Sequence, residues 1–174
     1  MLKVNEIFFS IQGESTKAGL PCVFIRLTYC NLRCTYCDTE YAFYEGKDFT
    51  IEQIIAEVKK FNCKLVEITG GEPLFQQESF DLMKKLYEEG FEVLLETGGS
   101  LPINKIDEKV KIIMDLKCPS SGMAKKNLYK IAVNLYAIEK SEIYANRDVK
   151  GISKYSFIFK SGNNRLSITA VLDV

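Results

Sequence analysis

Three cysteines fall within one short run: Cys30, Cys34 and Cys37, in the pattern C-x3-C-x2-C. Thiolates are the soft ligands that iron–sulfur clusters require. Three of them on one loop can hold three irons of a cubane [4Fe–4S] cluster and leave the fourth iron open. An open iron can chelate an amine and a carboxylate, the pair that S-adenosylmethionine carries on its methionyl end. Two other readings share the spacing. Positions i, i+4 and i+7 mark one face of a helix, and free cysteine packs well in a core. Against this, Asn31, Arg33, Asp38 and Thr39 make a poor buried helix, and the run follows directly on an apolar strand. Zinc usually takes four ligands from paired knuckles, and no second knuckle occurs in the chain. Of the other cysteines, Cys22 and Cys63 read as packing residues, and Cys118 stands beside a further candidate loop.

The chain has 174 residues and no histidine. This excludes Ser-His-Asp and Cys-His nucleophilic machinery, His-ligated zinc and haem, and the two-His facial iron triad. Acid–base work falls to carboxylates, Lys, Tyr or Cys. The 23 basic and 23 acidic side chains balance, which argues against a broad nucleic-acid or membrane surface. The first residues lack the apolar stretch of a signal peptide. No apolar run approaches the ~20 residues of a membrane helix. A cytoplasmic, reducing location is expected, where clustered cysteines bind metal rather than pair.

The elements that must position the cysteines follow from periodicity. Cys22–Thr28, Leu65–Thr69, Phe91–Thr97 and Lys111–Leu116 read as strands. Thr50 and Gln53 form a capping box ahead of the helical stripe Ile51, Ile54, Ile55, Val58 and Phe61. A second helix over Gln76–Glu89 carries Leu82, Met83, Leu86 and Tyr87, with Gly90 just past its end. Strand and helix in alternation predict right-handed βαβ units and a parallel sheet, with chemistry at the strands' C-terminal ends. The unusual loops all follow strands: Cys30–Cys37, Gly70-Gly71-Glu72-Pro73, Glu96-Thr97-Gly98-Gly99 and Lys117-Cys118-Pro119. In the last third, Ile131–Ile138 is apolar but short, and Tyr155–Lys160 and Leu166–Leu172 read as a hairpin. Residues 1–128 carry 16 basic and 19 acidic side chains and residues 129–174 carry 7 and 4, a change of character near residue 129.

Among the loop residues, Gly70 and Gly71 allow a close backbone approach, or simply a strand-to-helix turn with Pro73 near its first position. Arg26 can clamp a carboxylate bidentately, or be a solvated strand-end residue. Gln12 and Glu14, beside Gly13, can meet a polar heterocycle edge, or form a surface turn. Glu96 can bind ribose hydroxyls or be a charged turn residue. Lys117 can approach a cofactor carboxylate or ribose, or be solvated.

The C-x3-C-x2-C loop with Gly-Gly-Glu-Pro after the next strand resembles the radical S-adenosylmethionine superfamily. Within it, the strings Ile7–Ser15, Phe24–Leu27, Cys30–Thr39 and Met114–Gly122 resemble the 7-carboxy-7-deazaguanine synthase family over about residues 3–128. The resemblance implies one α/β domain over residues 1–174, a partial (βα) barrel whose residues 129–174 are a divergent, atypical C-terminal segment. It implies a lyase of queuosine biosynthesis: a 5′-deoxyadenosyl radical starts the ring contraction of 6-carboxy-5,6,7,8-tetrahydropterin to 7-carboxy-7-deazaguanine with loss of ammonia. It implies that Cys30, Cys34 and Cys37 hold the [4Fe–4S] cluster and that Thr39 helps hold Mg²⁺. Tyr36, Cys37, Asp38, Gly71, Glu96, Asp115 and Lys117 would lie at S-adenosylmethionine. Ile11, Gln12, Gly13, Glu14, Arg26 and Thr69 would bind substrate. A flavodoxin- or ferredoxin-type reductant and a homodimer are implied, with no nucleic acid or membrane partner. Tyr29 stands where many relatives have glycine. Two alternatives share the cysteine loop: a glycyl-radical activating enzyme, and a non-catalytic iron–sulfur protein with Cys118 as fourth ligand.

Overall fold

The computed structural model describes residues 1–128 and, beyond them, the backbones of strands Ser141–Arg147, Ser153–Ser161 and Asn164–Leu172. The apolar run Ile131–Ile138 lies outside the described residues. Strands β1 (Leu2–Ile11), β2 (Pro21–Leu27), β3 (Lys47–Phe49), β4 (Leu65–Gly70), β5 (Glu92–Thr97) and β6 (Lys111–Leu116) join β7, β8 and β9, the three strands just named, in one sheet. The order is β3-β1-β2-β4-β5-β6-β9-β8-β7. Strands β2, β4, β5, β6 and β9 run parallel, and the remaining pairs are antiparallel. This is the partial α/β barrel expected, with β1 and β3 added at one edge.

Helix α1 (Ile51–Lys59) begins where Thr50 accepts from the Gln53 backbone N–H and Gln53 reaches back to the Thr50 N–H. Such a cap is worth about 1 kcal/mol. Helix α2 (Ser79–Glu88) ends before Gly90, whose φ of 81° lies in the left-handed region that glycine tolerates. Ile54, Ile55 and Val58 of α1, with Leu82, Met83 and Leu86 of α2, are buried against one face of the sheet. That face presents Val23, Ile25, Leu27, Val66, Ile68, Val93, Leu95, Ile112 and Met114. Each side chain of this size contributes about 1.5–3 kcal/mol when fully buried. Two residues expected on the helical stripes lie outside: Phe61 stacks on Phe9, and Tyr87 lies under the Lys109 ammonium.

The connection between β5 and β6, residues 98–110, contains no helix, so the strand–helix alternation is incomplete there. The hairpin in the last third is present: β8 and β9 pair antiparallel from Ser153↔Leu172 to Ser161↔Asn164. Strand β9 then docks parallel on β6, with Asp115 opposite Thr169 in register. The alternate residues of the central strands face the other way and line the barrel lumen. Arg26 pairs with Thr69, and Glu96 with Ile113. No helix among the described residues is long and apolar enough to cross a membrane.

Candidate active site

The cysteine loop leaves the C-terminal end of β2 through Tyr29, which adopts φ 76°. Tyr29 donates its N–H to the Ala42 carbonyl (3.0 Å) and accepts from the Glu72 N–H (2.8 Å). Gly71 N–H reaches the Leu27 carbonyl (3.2 Å), so the β2–β4 ladder continues into the loop. The close approach that Gly71 permits is to protein: a Cβ there would collide with the Tyr29 carbonyl and sit 2.8 Å from Cys30 Cβ. Leu32 is buried beneath the loop, and the Arg33 guanidinium stacks 4.2 Å from the Phe43 ring centroid while donating to the Cys30 carbonyl (2.8 Å). Thr35 N–H donates to the Ser121 carbonyl (3.1 Å), and Asn31 donates to Ser100 (3.1 Å). Loops after β2, β4, β5 and β6 thus meet at one end of the sheet.

Cys30, Cys34 and Cys37 are each half-buried and unpaired as disulfides. Burial pushes the Cys30 thiol up, the Leu32 N–H donated to its sulfur (3.4 Å) opposes this, and the Cys34 and Cys37 sulfurs add to the rise. Burial also raises Cys34, against the nearby Lys117 ammonium. Among the described residues, no three His, Cys, Asp or Glu groups are placed to hold a single metal ion. Three free, half-buried thiols on one loop, spread too widely to share one ion, fit a multi-iron cluster that takes one sulfur per iron. Beside it, Cys118 is buried, with its sulfur 3.2 Å from the Tyr36 hydroxyl and 3.2 Å from the Ser120 hydroxyl. Thr39 Oγ1 lies 3.8 Å from Cys37 Sγ, and Asp38 is exposed on the same loop.

Beneath the loop, Lys117 pairs with Asp115, and Asn127 brackets the Lys117 backbone through both its N–H (3.1 Å) and its carbonyl (2.8 Å). Burial works against the Lys117 charge, but Asp115 outweighs it and holds the ammonium above its ordinary range. Glu72 is fully buried. Its carboxylate accepts from Leu74 N–H (3.1 Å), the Thr97 hydroxyl (2.9 Å) and Gly98 N–H (2.9 Å), tying the β4 loop to the β5 loop.

The second half of the site comes from the opposite end of the sheet. Because β1 runs antiparallel to β2, Gln12, Gly13 and Glu14 leave β1 beside Pro21, where β2 begins. Gln12 then turns back into the lumen and is buried. Its side-chain oxygen accepts from Glu14 N–H (2.9 Å), and its Nε2 donates to Glu67. Glu67 shares a face of the sheet with Glu96 on the neighbouring strand, and the Glu96 carboxylate accepts from the Thr69 hydroxyl (2.7 Å). Arg26 donates through Nε to Glu6 (2.7 Å), with its guanidinium over Phe8 and Tyr41, and its Nη groups have no protein partner among the described residues. A Cβ on Gly13 would meet nothing within 4 Å, and Ile11 is exposed.

The fold thus gathers Gln12, Thr69 and Glu96 into one network, with Glu14 attached through its backbone. Cys34, Tyr36, Asp115 and Lys117 form a second group under the cysteine loop. Ile11 and Asp38 stand outside both. Glu96, expected at the cofactor, sits with the residues expected at substrate. Sequence reasoning missed Glu67 and the struts Glu72 and Glu6. The signal for Glu67 was a lone carboxylate inside the apolar run Leu65-Val66-Glu67-Ile68.

The Radical SAM superfamily model matches residues 24–124. That superfamily is built on a [4Fe–4S] cluster and S-adenosylmethionine, and all three loop cysteines and the Gly-Gly-Glu-Pro turn lie inside the match. A 7-carboxy-7-deazaguanine synthase of Chlorobaculum tepidum is 42% identical over 173 residues, covering 91% of this chain and 79% of that protein. The match leaves less than a tenth of the chain unaligned, so it reaches into residues 129–174. A 7-carboxy-7-deazaguanine synthase of Koribacter versatilis is 48% identical over 123 residues, covering 70% of this chain and 54% of that protein. The crystal structure of QueE from Escherichia coli superposes with a TM-score of 0.57 at 26% identity, over 67% of this chain and 60% of that one. Apart from the Chlorobaculum protein, then, the chain spans little more than half the length of these relatives. With the cysteine loop, the Gly-Gly-Glu-Pro strut and the opposed polar lumen in place, the chain belongs to the 7-carboxy-7-deazaguanine synthase family of the radical S-adenosylmethionine superfamily.

Proposed function

We propose that the chain contracts 6-carboxy-5,6,7,8-tetrahydropterin with loss of ammonia to 7-carboxy-7-deazaguanine, the product named by its relatives. The observation that carries this is the polar lumen. A site for a protein partner needs an open mouth, whereas here buried Gln12, Glu67 and Thr69, with half-buried Glu96, form a hydrogen-bonding wall suited to the edge of a small heterocycle.

The cluster on Cys30, Cys34 and Cys37, with S-adenosylmethionine, supplies one-electron chemistry and a hydrogen-abstracting radical when bound. The protein's part is placement. Tyr36, Asp115 and Lys117 border the cofactor side, with Asp38 exposed on the same loop and Gly71 packed beneath it, and the Lys117 charge would serve the cofactor's carboxylate. Arg26, already fixed at Nε by Glu6, turns its Nη groups to the substrate carboxylate. Glu96 and Glu14 accept from the ring's N–H donors, Thr69 fixes Glu96, and Gly13 with Ile11 leaves space for the ring. Thr39 would contribute an oxygen to a bound Mg²⁺, which would help neutralise the substrate carboxylate. We read the whole chain as one domain, acting in the cytoplasm as a homodimer with a flavodoxin- or ferredoxin-type reductant.

The test is anaerobic incubation of the cluster-loaded protein with S-adenosylmethionine, reductant, Mg²⁺ and 6-carboxy-5,6,7,8-tetrahydropterin. Mass spectrometry should detect 7-carboxy-7-deazaguanine. A folded, cluster-loaded protein that cleaves S-adenosylmethionine but leaves the pterin untouched would refute the substrate assignment.

A further inference from the structure

Glu67 is a carboxyl group 2% exposed, in mid-strand, and among the described residues no cation pairs with it. Its described neighbours come from several elements. The β1–β2 connection supplies Gln12, which donates to it, and the Glu14 carboxylate; β2 supplies the Cys22 thiol; β5 supplies Glu96, on the same face of the next strand; and Asp115 of β6 faces Glu96 from the far side. Two ionised carboxylates offer only acceptors and cannot bond to each other. With both carboxyls on one face of neighbouring strands β4 and β5, and Thr69 tying Glu96 back towards β4, one of the two is favoured to carry a proton and donate it to the other. Glu96 already accepts from Thr69 (2.7 Å), which suits its ionised form, so the proton sits on Glu67.

We infer that Glu67 is a positioning residue of the pterin pocket: as a buried neutral acid it ties Gln12 to Glu96 and leaves one oriented carboxylate, Glu96, facing the substrate's ring edge. This rests on the proposed pterin reading. A pterin presents its ring N–H and amino group side by side as donors, and one fixed carboxylate accepts both. A second negative charge in contact would swing Glu96 away. Burial first, then the Glu96 charge, pushes the Glu67 carboxyl up to about 9, so the arrangement persists through neutral pH.

The experiment compares cluster-loaded wild type, Glu67→Gln and Glu67→Leu. Glutamine keeps a neutral group that can still donate to Glu96; leucine does not. Glu67→Leu is expected to raise the KM for the pterin about tenfold or more while S-adenosylmethionine cleavage without pterin persists, and Glu67→Gln to recover most of that loss. Wild-type kcat/KM should fall as pH rises through about 9, and Glu67→Gln should lack that limb. A merely structural role would lower the active fraction without moving KM or the pH profile. An unchanged KM in Glu67→Leu, or an alkaline limb retained in Glu67→Gln, overturns the inference. A second readout needs no turnover: infrared difference spectra at neutral pH should show a protonated-carboxyl band in wild type that Glu67→Gln lacks. Its absence from wild type also overturns the inference. Wild type that shows the band but never converts the pterin leaves Glu67 as inferred and instead removes the substrate assignment.

Discussion

Replacing Glu72 with alanine tests whether the Gly-Gly-Glu-Pro turn is held by a side-chain strut. The carboxylate is 0% exposed and receives the Leu74 N–H, the Gly98 N–H and the Thr97 hydroxyl. Alanine removes all three acceptor contacts at once and leaves two backbone donors and a hydroxyl buried. Each unsatisfied donor costs about 1–3 kcal/mol, and hydrogen bonds to a charged acceptor stand at the upper end. Water entering the space left behind recovers part of this, so the expected loss is about 3–5 kcal/mol. Glutamine should lose less, about 1–2 kcal/mol, because its oxygen still serves two donors while its NH₂ confronts the third. Urea unfolding followed by circular dichroism gives the midpoints, and an unchanged slope licenses the comparison. Glu72→Ala within about 1 kcal/mol of wild type would refute the strut. Because Thr97 and Gly98 begin the loop above β5, the same variant should also weaken S-adenosylmethionine binding.

Three further perturbations test separate parts of the structure. Ser79 Oγ is buried with no partner among the described residues, so Ser79→Ala should stabilise the protein by about 1 kcal/mol; a destabilised variant in urea melts would contradict this. Tyr29 holds φ 76°, a conformation that costs an L-residue about 1–2 kcal/mol, so Tyr29→Gly should raise the urea midpoint without lowering iron content, and a lower midpoint would show that its side chain matters more than its backbone. Cys34→Ala should lose the cluster's iron, sulfide and visible absorbance together with S-adenosylmethionine cleavage. Cleavage retained by that variant removes Cys34 from the ligand set.

The parallel strands and both helices were legible because each obeys one local rule. Strands β2, β4, β5 and β6 fall within a residue or so of their expected limits, since short apolar runs bounded by turn residues have few other uses. The Thr50–Gln53 box and Gly90 marked helix ends through their own chemistry. Strand β1 was not legible: its alternation fails at Ile7-Phe8-Phe9, and its register slips between Val4 and Glu6. Three-residue β3 is too short to carry a period. At the site, cysteine spacing revealed the cluster loop, whereas the partners of Gln12 and Arg26 could not be read, because Glu67 and Glu6 meet them only across strands.

The missed direction of β1 changes how the site is understood. The unusual loops after β2, β4, β5 and β6 share one end of the sheet, as expected, but Gln12 and Glu14 enter from the other. What keeps them there is local. Gln12 N–H donates to the Leu20 carbonyl (2.9 Å), Gly19 N–H donates to the Gln12 carbonyl (2.8 Å), and Lys17 reaches Glu92 (2.8 Å) at the start of β5, beside Lys111 at the start of β6. The ion pair is half-exposed and worth about 0–1 kcal/mol, so the backbone bonds set the geometry. In the proposed reading the cofactor side hangs from four loops at one end of the barrel, while Gln12 and Glu14 reach the substrate side as a plug inserted from the other end, meeting Arg26, Thr69 and Glu96 on the strands. The plug shares no loop with the cysteine loop or the Gly-Gly-Glu-Pro turn. Changes in the plug should therefore alter pterin binding while leaving S-adenosylmethionine cleavage intact, and changes in the Gly-Gly-Glu-Pro strut should do the reverse.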